Sequence, residues 1–236
     1  MLIVGVGLRG AGDAQFAALL QQLSEQADAA QLDPALAEGF IADLLALPGV
    51  LNGTLIFLCI ITPLIEELAK PLAVWLLARR IDPRQGFLFG LLGGLIFAVG
   101  ENVNTLAVAA GGSGWVALVF GRAGTSLLHM ATAGLVGFGI ATAFHKRRPL
   151  ALLLSYAAAV ILHGVWNFFG VAEGLVPLTD ALLFQRLGSM GALALGLITI
   201  VNLAVLFGLS WWSRRPTPPV PLEPEKGETT LDGLVD

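Results

Sequence analysis

Charge is scarce in this chain. Acidic and basic residues fill 13% of its 236 positions, about half the ~25% usual for soluble domains. The single cysteine, Cys59, excludes an intramolecular disulfide and reads as a small packing residue in an apolar run. No basic patch and no interleaving of aromatic with basic residues occurs, which argues against nucleic acid as a partner. The H-E-x-x-H signature of helical zinc sites is missing, as is the G-x-S-x-G of serine hydrolases. The apolar opening Leu2–Leu8 is too short to span a bilayer and lacks the basic n-region of a signal peptide. No inverted internal repeat is visible.

What the chain has in quantity is apolar sequence. Hydrophobic residues make up 56%, and the mean hydropathy is +0.81. Runs of this length and composition cross membranes. The expected fold is all-α, a polytopic bundle of about five spans. They cover about Val50–Leu77, Gly86–Ala110, Trp115–Phe144, Leu150–Val171 and Leu187–Trp212. Pro63 and Pro71 are expected to kink the first.

Three parts follow: residues 1–47, the membrane domain 48–212, and the tail 213–236. Residues 14–46 place Phe16, Leu19, Leu23, Leu36, Phe40 and Leu44 at spacings of three and four, the mark of amphipathic helix. Asp33-Pro34 reads as an N-cap followed by proline at the first helical position. The Pro-rich acidic tail is expected to be disordered.

Lysine and arginine set the orientation. Arg79, Arg80 and Arg84 follow the first span, Lys146, Arg147 and Arg148 the third, and Arg214 and Arg215 the fifth. With five spans these clusters share a side, against Arg9, Arg122 and Arg186 on the other. The positive-inside rule then predicts a multi-pass cell-membrane protein with the N-terminus outside and the tail in the cytoplasm.

Against this background five ionisable groups stand out: Glu66, Glu67, Glu101, His129 and His163. Charge in hydrocarbon costs roughly 2.5–3.5 kcal/mol per residue on insertion scales. Such groups persist where they face a bundle interior or an aqueous cavity. Counting at 1.5 Å per residue from the basic clusters puts Glu66, Glu101, His129 and His163 at a common depth of roughly 20–25 Å. Side chains from four spans in one layer predict one polar site.

The chemistry of that site is read from its residue types. Lys70 follows the two adjacent glutamates at three and four positions, both same-face spacings, and Glu66 is its natural partner. Two neighbouring carboxylates in low dielectric do not both ionise easily, which suits one of them to general acid–base work. His129 and His163 can hold and move protons. Asn167, one turn after His163, can donate to a developing oxyanion. Ser126, one turn before His129, is the only nearby candidate for a serine or cysteine nucleophile, and it is not well placed, so water is the expected nucleophile. Carboxylate and imidazole also suit a divalent metal such as zinc, with Glu67, Glu101, His129 and His163 as candidate ligands. The same groups fit other readings: a proton- or cation-coupled transporter with a carboxylate–histidine relay, or a scaffold that keeps the cluster for packing.

Glu66-Glu67-x-x-Lys70, Phe97-Ala-x-x-Glu101-Asn102, His129 and His163-x-x-x-Asn167 occur in order over about residues 50–170. This set resembles the PrsW family of intramembrane proteases, related to the group that contains CaaX prenyl proteases and bacteriocin-processing enzymes. The resemblance implies hydrolysis of peptide bonds in membrane-anchored proteins, including anti-sigma-type regulators. It implies Glu66 as the base, Glu67 as essential or supporting, and His163 with Asn167 at the water or oxyanion. Glu101 and His129 would complete the cluster, with Lys70 supporting. The prenyl proteases carry Arg at the Lys70 position and His at the Glu101 position, which argues against a CaaX substrate. The residues leave open whether a metal takes part.

Overall fold

The computed structural model describes residues 49–109, 115–175 and 182–214, together with 21, 24, 25, 39, 40 and 42–45. These last isolated stretches are helical, as the amphipathic spacing predicts. The remainder of 1–47, the Asp33-Pro34 cap and the tail from 215 onward lie outside the described residues. Among the described residues the fold is all-helical. Its elements are α1 (Val50–Ile56), a π-helical stretch (Phe57–Ile61), α2 (Thr62–Ala69), α3 (Leu72–Leu77), α4 (Pro83–Ala109), α5 (Trp115–His145), α6 (Pro149–Leu175) and α7 (Leu182–Ser213). Five stretches are long and apolar enough to cross a membrane, so this is a multi-pass membrane protein.

Proline breaks the first span in two ways. Around Pro63 the helix widens into a π turn. The Thr62 amide donates five residues back to the Phe57 carbonyl, so it is withdrawn from Leu58. The next amide would be that of residue 63, and proline has none. The Leu58 carbonyl is thus orphaned by its own helix, and Asn167 Nδ2 of α6 donates to it at 2.8 Å. At Pro71 the helix stops and restarts. The Leu68 carbonyl next to this break takes the Trp75 indole N–H at 3.0 Å. The predicted span to Leu77 is therefore a membrane helix ending at Ala69 plus a short separate helix.

The third span is the centre of the bundle. In α5, 67% of the span is buried, against 11–28% for the other four. Large apolar side chains on the outer helices face outward instead, including Leu76, Leu193 and Phe207, as expected where lipid is the solvent. Lipid tails are as apolar as leucine, so association rests on close packing and polar contacts more than on apolar burial.

Glycine supplies the close packing. A Cβ at Gly86, Gly90 or Gly94 of α4 would overlap the carbonyl oxygen of Gly137, Ala133 or His129 of α5. The two helices therefore run antiparallel with their backbones in contact. Gly93, beside that face, lies against the Lys70 carbonyl, and Gly164 of α6 lies against the Cys59 carbonyl of the π stretch. Two apolar cores complete the packing. One joins Val74, Ile81, Val136, Ile140 and Ala159; the other joins Leu128, Trp166 and Ile198.

Candidate active site

The polar residues from α2, α4, α5 and α6 meet in one cluster, as their common depth predicts. Lys70 is its hub. Its ammonium lies 2.7 Å from Glu67 Oε1 and 3.2 Å from Glu66 Oε2. It is also 2.8 Å from His129 Nδ1 and 3.4 Å from His163 Nδ1. The expected pairing with Glu66 is present, and Glu67 joins it. Glu67 is the closer anion, because its carboxylate is fully buried on the side of α2 that faces the bundle, whereas Glu66 keeps 21% exposure. The ammonium also sits 4.8 Å from the Phe97 ring centroid, a cation–π distance.

The other contacts bring in the remaining spans. His163 Nδ1 lies 2.8 Å from Glu67 Oε1, and His129 Nε2 lies 2.8 Å from Glu101 Oε2. The two imidazoles meet edge to face at 5.2 Å between centroids. His129 and His163 are almost wholly buried. Close backbone packing makes this possible: Gly94 admits the His129 carbonyl, and Gly93 admits that of Lys70.

Donor chemistry fixes the ring tautomers. An ammonium has protons to give and no acceptor, so His129 Nδ1 facing Lys70 must be the unprotonated nitrogen. Its Nε2 then carries the proton and donates to Glu101. At His163 the nearer partner of Nδ1 is the Glu67 carboxylate, so Nδ1 donates there and Nε2 keeps its lone pair. That lone pair points toward Glu66 Oε2, 3.8 Å away.

Glu66, His129 and His163 together form a possible ligand set: each offers one atom, and the three atoms lie within 4.8 Å of one another. The donor types suit a divalent metal, and for one to bind, the Lys70 ammonium would have to leave the His129 Nδ1 lone pair that it occupies at 2.8 Å. The set has two imidazoles and a carboxylate, ordinary ligands for zinc. Glu67 Oε2 is also buried without a hydrogen-bond partner, and buried carboxylate oxygens are seldom left so. This grouping differs from the ligand set expected from sequence. Glu66 enters it, while Glu67 and Glu101 lie outside, each bonded to a histidine nitrogen instead.

A cavity of about 460 Å³ opens onto this cluster. Its wall includes Glu66, Glu101, Arg122, Trp166, Asn167 and Glu173. Lys70, Glu67, His129 and His163 stand behind the wall. Glu66 Oε2 is buried against the cluster, so Oε1 is the oxygen left to the cavity. Asn167 reaches the cavity while one amide hydrogen is held by the Leu58 carbonyl. Ser126 is fully engaged, donating to the Arg122 carbonyl at 2.8 Å and accepting from Asn102 Nδ2 at 2.9 Å, which agrees with its dismissal as a nucleophile.

Sequence reasoning missed Arg122, which it counted only as an outer-side charge. Arg122 Nη2 lies 2.7 Å from Glu101 Oε2, and its Nε donates to Asn102 Oδ1 at 2.6 Å. A signal was available, since positions 122, 126 and 129 share one helical face.

Residues 8–208 match the PrsW family intramembrane metalloprotease family, extending the resemblance well beyond the motifs at both ends. Comparison with curated proteins found no match, and neither did comparison with solved structures. With the matched region covering most of the chain and a buried glutamate–histidine cluster at its centre, the protein belongs to the PrsW family of intramembrane metalloproteases, and its function is intramembrane proteolysis.

Proposed function

We propose that Glu66, standing between the histidine cluster and the cavity, activates the water that hydrolyses the peptide bond. The observation that carries this reading is the grouping of Glu66, His129 and His163 from three spans within 4.8 Å, with Glu66 alone among them on the cavity wall.

Glu66 Oε1 takes a proton from water as the hydroxide adds to the scissile carbonyl carbon. The carbonyl oxygen gains negative charge, and the free amide hydrogen of Asn167 donates to it. Glu66 returns the proton to the departing amide nitrogen. The C–N bond then breaks, leaving a carboxylic acid and an amine. Glu67 and Lys70 do not face the cavity. Glu67 holds His163 through Nδ1–H, and Lys70 offsets the charge of two adjacent carboxylates in low dielectric. Glu101 holds His129 in the same way as Glu67 holds His163. A divalent ion such as zinc, held by Glu66, His129 and His163, would supply Lewis acidity at the carbonyl and ease formation of hydroxide.

Substrates on this reading are membrane-anchored proteins, among them anti-sigma-type regulators, whose chain enters the cavity in extended form. On the same reading the N-terminus lies outside and the tail in the cytoplasm, which the positions of the basic loops support.

The test is cleavage of a panel of tagged single-span membrane proteins by purified protein in liposomes, with and without a strong chelator. Wild type is expected to cleave, to lose activity on chelation and to regain it with zinc. His163→Ala is expected to stay inactive under all three conditions. Full activity in the chelator would remove the metal, and an active His163→Ala would remove the cluster.

A further inference from the structure

We propose that Glu173 is a specificity residue of the cavity, receiving a lysine or arginine side chain of the substrate about three or four residues from the bond that is cut. The inference rests on the reading that Glu66 and Asn167 act at that bond. It adds a substrate class to that reading: membrane-anchored chains with a basic residue at this spacing.

The cavity is a cleft that follows α6. Trp166, Gly170 and Glu173 line it, and their spacings of four and three put them on one face of that helix. Gly121 of α5 lines it as well. A Cβ at Gly121 or Gly170 would meet nothing within 4 Å, so the cleft is open at both glycines. Glu173 stands six positions beyond Asn167, at the end of α6 away from Lys146, Arg147 and Arg148. Six positions rise about 9 Å along a helix. An extended chain covers that distance in about three residues, at ~3.3 Å each.

The charges of the wall leave one carboxylate over. Among the described residues, the charged side chains that line the cleft are Glu66, Glu101, Arg122 and Glu173. Lys70 lies 3.2 Å from Glu66 Oε2, and Arg122 lies 2.7 Å from Glu101 Oε2. Glu173 has no charged partner among the described residues, and it is exposed, so water carries its charge. A substrate chain filling the cleft displaces that water. An opposite charge brought beside Glu173 then counts for more, and a like charge is penalised. The side chain also has a prepared seat. Gly191 of α7 is buried, and a Cβ there would come 2.8 Å from Glu173 Cγ and 3.3 Å from its Oε1. The missing side chain at 191 leaves the room in which the glutamate lies against α7.

A glutamate that is merely solvated would be indifferent to the charge of the substrate, and this separates the two roles. The experiment uses the full chain in nanodiscs and a single-span peptide with uncharged flanks, along which one lysine is moved residue by residue. Wild type gives kcat and KM for each peptide. Glu66→Gln gives Kd for the same peptides by fluorescence anisotropy. Lysine three or four residues from the cut, on one side, is expected to lower KM about fivefold relative to glutamine, the upper end for an exposed ion pair. It should lower Kd alike and leave kcat within threefold. Glu173→Gln is expected to remove the preference. Glu173→Lys is expected to reverse it, so that glutamate at that position becomes the favoured residue, with both variants melting like wild type. A lysine preference that persists in folded Glu173→Lys overturns the proposal. So does a wild type that cuts but ignores lysine at the third and fourth positions, which leaves hydrolysis standing. Lysine-dependent binding that is lost in Glu173→Lys, in a protein that cuts none of the peptides, would uphold the basic subsite and sink the hydrolytic reading instead.

Discussion

At the scale of single residues, the buried charges divide by what each faces. Glu67 and Lys70 are both fully buried and 2.7 Å apart. Removing one partner of such a pair leaves the other uncompensated and costs about 3–5 kcal/mol. Glu67→Gln is therefore expected to lower the thermal midpoint sharply as well as activity. Adding Lys70→Met should recover stability without recovering activity. A Glu67→Gln protein that melts like wild type would contradict this division. The identity of the polar residues was legible in the sequence because charge inside apolar runs is conspicuous. Their pairing was not. Positions three and four before Lys70 are both sterically suitable and both pair with it, and only the burial of α2 against α6 makes Glu67 the nearer partner. Arg122 shares a helical face with His129, but an arginine near a span end also reads as an orientation signal, which masked its place beside Glu101.

At the scale of elements, the site is assembled by irregular backbone in the first span and by glycine in the second. The spans themselves were readable from hydropathy, and their limits agree closely with α4 to α7. The form of the first break was not. Pro63 signals a disturbance, but a kink and a π-helical widening both satisfy a missing amide. The widening orphans the Leu58 carbonyl and so gives Asn167 a partner that no spacing rule foretells. The glycines of α4 read correctly as a packing face, yet only the structure shows that Gly94 sets the His129 carbonyl. Gly94→Val is expected to force α4 and α5 apart, abolish cleavage and reduce the melting temperature. Gly208→Ala, where a Cβ meets nothing within 4 Å, should keep the fold and stabilise α7 by up to about 1 kcal/mol. Thermal melting and cleavage on the same two variants check both statements, and equal behaviour of the pair would contradict them.

At the scale of the whole molecule, five spans enclose one polar layer and present apolar side chains outward. A chain with the basic loops inside puts Arg214 and the tail in the cytoplasm. A green fluorescent protein fused to the C-terminus should fluoresce in intact cells, and an alkaline phosphatase fused there should be inactive; the reverse pattern would invert the bundle. The central claim is that hydrolysis depends on Glu66 as a chemical group and not as a structural one. Its most direct test is the single-turnover cleavage rate of one substrate by wild type and Glu66→Gln in matched liposomes, with melting recorded on the same samples. The account predicts a loss of at least about 100-fold, with a melting temperature close to that of wild type. A Glu66→Gln rate within a few-fold of wild type would contradict it.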